Sequence, residues 1–119
     1  MPHLILEISR ELLDELPVDA VLSALHEAAA ATGIVHADDL KLRVIPVDIA
    51  LIGGRTQPFV HLTVALLAGR SDAEKLQLSE TSLGVLCDYF SNVERCSVDI
   101  RDMHGPSYRK RPFPVAASA

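Results

Sequence analysis

Hydrophobic and polar residues alternate through His3-Leu4-Ile5-Leu6-Glu7-Ile8, with Leu4, Leu6 and Ile8 on one side and His3, Ile5 and Glu7 on the other. That period of two predicts a strand beginning almost at residue 2. The spacing then lengthens: between Asp19 and Thr32, residues Val21, Leu22, Leu25, Ala28 and Ala29 share one helical face, and Gly33 supplies a stop. Alternation returns from Leu40 to Val47, where Leu40, Leu42 and Val44 oppose Lys41, Arg43 and Ile45. After a turn at Gly53-Gly54, Phe59 to Leu67 predicts a third strand, with Val60, Leu62, Val64 and Leu66 opposite His61 and Thr63. Ser71-Asp72-Ala73-Glu74 has capping-box form and opens a helix that carries Leu76, Leu83, Leu86 and Phe90. Cys96 to Asp102 closes the series as a fourth strand, Cys96, Val98 and Ile100 alternating with Ser97, Asp99 and Arg101.

Strand, helix, strand occurs twice, and each helix makes a connection long enough for a right-handed crossover between parallel strands. The expected class is α/β (α+β): two β-α-β units forming a four-stranded mixed sheet with two helices on one face. The units span 2–50 and 58–103 of a single 119-residue domain, with a tail over 104–119. Pro2 precedes the first strand as Pro58 precedes the third, which adds to the impression of an internal repeat. In all four strands the even-numbered residues are apolar and suited to lie under the helices. The other face carries Glu7, Lys41, Arg43, His61, Thr63, Asp99 and Arg101. A two-layer fold leaves that face bare, either to water or to the interior of a ring of subunits where opposite charges pair.

Composition sharpens this picture in three ways. Hydrophobic residues make up 49% of the chain, yet Trp is absent and the apolar weight lies in Leu, Val, Ile and Ala, more than one small monomer readily buries. A formal charge of −5 argues against a general nucleic-acid binder. Cys87 and Cys96 fit neither a disulfide scaffold nor a zinc spacing and are expected to be reduced core thiols. With no basic leader and no apolar run long enough to span a bilayer, a cytoplasmic location and no membrane partner are expected.

The chain has no phosphate loop, dinucleotide fingerprint, nucleophile elbow or paired-histidine metal motif. His3 and His61 are expected in hydrogen-bonded structural roles rather than tuning a site, and Tyr108-Arg109-Lys110-Arg111 as a solvated basic tail, with a ligand or subunit contact as the alternative. Chemistry is better sought at Met1-Pro2, which leads directly into a buried strand. Aminopeptidases remove an initiator Met before a small residue such as Pro, and the strand tip would then present a secondary amine. Nearby cations and desolvation both disfavour its protonated form, lowering a pKa that is ordinarily about 7.7–8.0 and creating a general base near pH 7. Arg70 directly precedes the Ser71 cap, suited to bind an anion beside a helix N-terminus. Lys41 and Arg43 share one strand face and add positive charge.

These residues resemble the tautomerase superfamily and, within it, the 5-carboxymethyl-2-hydroxymuconate isomerase family. The similar stretches are Pro2-His3-Leu4-Ile5 with Glu7, Ala30-Ala31-Thr32-Gly33-Ile34, Phe59-Val60-His61-Leu62-Thr63 running to Gly69-Arg70-Ser71, and Val98-Asp99-Ile100 to Lys110. The resemblance implies a homotrimer of β-α-β-β-α-β subunits, a trimeric barrel whose polar sheet faces surround a channel, with active sites at subunit boundaries. It implies no metal or organic cofactor, Pro2 as the catalytic proline, and Arg70, Arg43 and Lys41 as holders of substrate carboxylates. Where the family tends to have a further arginine, this chain has Lys41, which keeps the charge but not bidentate geometry.

The expected reaction is conversion of a dienol di- or tricarboxylate to its keto isomer in aromatic catabolism. Three alternatives remain beside it: a tautomerase for another acid such as phenylpyruvate, a water-adding relative using Asp102 or Glu7 as a second base, and a non-catalytic trimeric binding module, as a relation to macrophage migration inhibitory factor allows.

Overall fold

A computed structural model describes residues 1–111 of the chain; the last eight positions of the expected tail lie outside them. Its elements in chain order are β1 (His3–Ser9), α1 (Arg10–Leu13), α2 (Val18–Ala31), β2 (Lys41–Val47), β3 (Phe59–Leu67), α3 (Asp72–Tyr89) and β4 (Arg95–Met103). The four strands form one mixed sheet in the order β2-β1-β3-β4. β1 pairs with β2 in parallel, β3 with β4 in parallel, and β1 with β3 antiparallel. Each parallel pair is joined by a helix, so the two β-α-β units meet back to back at the centre of the sheet.

The period-two pattern decides which face is covered. Leu4, Leu6 and Ile8 of β1 and Val60, Leu62, Val64 and Leu66 of β3 are all buried, packed with Val21, Leu25 and Ala29 of α2 and Leu78 and Leu86 of α3. Each such side chain removed from water contributes about 1.5–3 kcal/mol. The edge strands are less enclosed: Leu42, Val44, Cys96, Val98 and Ile100 are only partly buried against the same core.

Two sequence expectations fail on α3. Leu76 is 58% exposed; the row facing the sheet is Leu78, Ser82 and Leu86, at a spacing of four, and a small polar Ser82 in that row hides it from a hydrophobicity reading. Cys87 is likewise exposed rather than a core thiol, because it follows Leu86 and is turned about 100° away from the sheet. Cys96 is half-buried, and burial first, then the neighbouring Cys87 thiol, pushes its thiol up to about 11.

The start of α3 is fixed as the sequence suggests. Ser71 Oγ accepts from the Glu74 amide at 3.1 Å, and Glu74 Oε1 accepts from the Ser71 amide at 3.0 Å. Replacing Ser71 with Ala is expected to cost about 1 kcal/mol. A lower urea midpoint at unchanged m-value checks this, and an unmoved midpoint would show that the cap contributes nothing.

Candidate active site

The sheet topology gathers one end of the molecule around the start of β1. β2 begins beside it, with His3 opposite Lys41 and Ile5 opposite Arg43, and the Lys41 amide donates to the Pro2 carbonyl at 3.0 Å. β3 runs the other way, so its last residues and Arg70 arrive at the same end; Ala65 lies opposite His3. β4 follows β3, so its exit arrives there as well.

Met1 occupies the centre of this end. It is fully buried, and its amine donates to the Asp39 carbonyl at 2.7 Å. The Lys41 ammonium donates to the same carbonyl at 3.1 Å, so two amines crowd one acceptor. Burial and then Lys41 lower the Met1 amine from the ordinary 8.0 to about 6; Asp39 opposes them, and Lys110 adds a smaller push in the same direction. Pro2 is buried too, above a small apolar gap lined by Leu4, Val35, Leu40, Val64 and Leu78.

The cations named from the sequence take up different roles here. Arg43 Nη1 lies 3.1 Å from His3 Nδ1. Arg70 is half-buried and donates to the carbonyls of Leu67 and Ile34 at 3.2 and 3.4 Å, fixed against backbone at the rim. The N-terminus of α3 beside it is filled by its own capping box, whose Glu74 carboxylate already uses the first amide.

The run expected to be a solvated tail is docked at Tyr108. After β4 the chain turns through Gly105–Ser107, with the Tyr108 amide bonded to the His104 carbonyl at 3.1 Å. That turn sends it back across β3 to β1, a lateral distance of about 10 Å. Tyr108 Oη then meets His3 Nε2 at 3.1 Å, ring edge to ring face, and Lys110 comes close enough to act on the N-terminal amine. The only sequence signal was a Tyr inside a basic run.

A groove of about 600 Å³ lies elsewhere: Glu7, Phe59, His61, Arg95, Cys96 and Ser97 line it at the opposite end of the sheet. Glu7 and His61 are register partners there, and His61 Nδ1 lies 2.7 Å from Ser97 Oγ. At the strand tip, by contrast, Met1 fills the space. An amine of lowered basicity and several cations converge at the tip. Among the described residues no three of His, Cys, Asp and Glu converge to hold a metal ion, and no helix is long and apolar enough to cross a membrane.

Known proteins agree on the architecture. A solved 5-carboxymethyl-2-hydroxymuconate isomerase from Deinococcus radiodurans R1 superposes with a TM-score of 0.81 at 23% identity, covering 92% of this chain and 88% of that one. A fused 4-OT asymmetric trimer superposes at 0.79 with 16% identity and 92% coverage of each chain. In sequence, the Escherichia coli 5-carboxymethyl-2-hydroxymuconate Delta-isomerase is 28% identical over 111 residues, which is 87% of this chain and 88% of the relative. The family model for 5-carboxymethyl-2-hydroxymuconate isomerase matches residues 2–99. With its sheet, its strand tip and most of its length accounted for in this way, the chain belongs to the 5-carboxymethyl-2-hydroxymuconate isomerase family.

Proposed function

We propose that the protein is a cofactor-independent keto-enol tautomerase in which the nitrogen of Pro2, freed by loss of Met1, is the general base, and that its substrate is 5-carboxymethyl-2-hydroxymuconate. The observation that carries this reading is the environment of the Met1 amine at the tip of β1, where burial and then Lys41 lower its pKa to about 6. Loss of Met1 replaces a fully buried side chain with an opening of about its own size. The amine then exposed is secondary and lies one residue along the same strand, beside the same cations.

The step follows from that amine. Neutral Pro2 takes the proton of the substrate's 2-hydroxyl; the O–H bond breaks and its electron pair becomes delocalised over a dienolate. Pro2, now a dialkylammonium, delivers the proton to a carbon further along the conjugated system, where a C–H bond forms as the C=O bond is completed. The amine is neutral again. Arg70, Arg43 and Lys41 hold the carboxylates and offset the developing charge, which fixed donors stabilise by several kcal/mol. A homotrimer with its sites at subunit boundaries is part of the proposal, supported by the bare polar sheet face and the trimeric neighbour. So are a cytoplasmic location and a role in aromatic catabolism.

Water addition is disfavoured by where its bases lie. Asp102 is ion-paired with Lys75 of α3 at 3.1 Å, and Glu7 stands five residues up β1 from Pro2, about 16 Å away along an extended strand. Glu7 does not meet the tip, and Asp102, two strands across from it, is held by Lys75. An acetylenic 2-oxo acid, 2-oxo-3-pentynoate, tests the amine, because a nitrogen adds to its triple bond only through a free lone pair, that is, when unprotonated. Mass spectrometry is expected to place one adduct on Pro2, at a rate that falls as pH drops through the amine's pKa. The burial and the Lys41 ammonium that act on the Met1 amine are expected to act on Pro2 in its place, so the fall should lie below about 8; an inflection at or above the ordinary value would contradict the proposed environment.

A further inference from the structure

We infer that Tyr108 is a substrate-contacting hydrogen-bond donor of the Pro2 site, and that His3 is the positioning residue that orients it, with Arg43 deciding which ring nitrogen of His3 carries the proton. The inference rests on the Pro2 reading above and names a donor that reading lacks.

A guanidinium offers N–H donors only. Arg43 Nη1 is 3.1 Å from His3 Nδ1, so Nδ1 must present its lone pair. The single proton of a neutral imidazole therefore lies on Nε2, which is 3.1 Å from Tyr108 Oη. The tyrosine oxygen is then the acceptor of that bond, and its own hydrogen is left to donate to a third group. An imidazolium would not fit, since its second N–H would face the Arg43 guanidinium. Burial first, then Arg43, Lys41 and the N-terminal amine, accordingly hold the His3 pKa below its ordinary 6.5.

Position completes the argument. His3 follows Pro2 directly, and the 6.1 Å edge-to-face contact of its ring with Tyr108 sets the phenol beside the first residue of β1. Lys41 and Lys110 supply charge there through long, rotatable stems. A phenol held by an oriented imidazole supplies direction, which is what an oxygen gaining negative charge requires of a preorganised donor.

The test uses processed protein beginning at Pro2 and 2-oxo-3-pentynoate. The nitrogen bonds to C4, one π bond of the triple bond opens, and its electron pair spreads onto the C2 oxygen. The nitrogen's proton ends on C3, giving a neutral enamine on Pro2. Tyr108 donates to the C2 oxygen as its charge grows. Tyr108→Phe is expected to lower the limiting alkylation rate roughly a hundredfold, with the half-saturating concentration nearly unchanged. His3→Leu should lower it to a similar degree. His3→Gln should recover most of the lost rate, because its amide offers an oxygen to Arg43 and an N–H to Tyr108. Equal rates for wild type and Tyr108→Phe, with Pro2 labelled in both, overturn the inference and leave the Pro2 reading standing. A His3→Gln variant as slow as His3→Leu overturns the positioning role of His3. Absence of label on Pro2 in the wild type overturns the Pro2 reading and this inference with it.

Discussion

Pro2→Ala, in protein whose initiator Met has been removed, is expected to lower kcat for ketonisation by about 10²–10⁴, the usual span for loss of a positioned general base. The fold gives this variant little else to disturb. The Pro2 carbonyl receives the Lys41 amide at 3.0 Å, a backbone bond that alanine retains. What changes is the base: a secondary amine held by its ring becomes a primary amine free to turn. Some activity should survive, because a primary amine in the same place still titrates beside Lys41. Protein that keeps Met1 should be inactive for a different reason, since its Pro2 nitrogen is an amide and the Met1 side chain fills the opening. Unfolding temperature, followed alongside the kinetics, should be nearly the same for Pro2→Ala and wild type. A rate unchanged by the substitution would remove Pro2 from the mechanism.

Arg70→Ala is expected to lower kcat/KM about a hundredfold, chiefly through KM. Truncating one partner of a desolvated ion pair commonly costs 2–5 kcal/mol, and a factor of a hundred needs about 2.7 kcal/mol. The substitution also removes donors from the carbonyls of Leu67 and Ile34, so stability should fall by about 1–3 kcal/mol. The two effects are separable. Arg70→Lys keeps a cation at the rim but not a planar group that spans both carbonyls, and should recover part of the affinity while remaining destabilised. Loss of stability with kcat/KM unchanged would make Arg70 a structural clamp.

The sheet was legible from the sequence because its two faces differ in kind. Leu4, Leu6 and Ile8 against His3 and Glu7, or Val60 to Leu66 against His61 and Thr63, leave one choice of which side meets the helices. Helix α2 announces itself by periodicity, and α3 by its capping box. Helix α1 did not, since four residues are too few to show a period. The face of α3 was misjudged at Leu76 because the buried row includes Ser82, and helical position outweighs the hydropathy of any one residue. Of the proposed site, Pro2, Lys41 and Arg43 could be named because strand pairing and alternation place them together. Tyr108 and Lys110 could not. The contact of Tyr108 with His3 joins residues 105 positions apart, and it exists only because the turn after β4 folds the chain back over the sheet. A basic run has the same appearance in a sequence whether it is solvated or docked.

The most direct test of the central claim follows the ultraviolet absorbance of 5-carboxymethyl-2-hydroxymuconate on addition of protein whose first residue has been verified as Pro2. The account predicts saturable ketonisation with kcat/KM of about 10⁴ M⁻¹s⁻¹ or more, lost when Met1 is retained. A decay no faster than in buffer alone would contradict it.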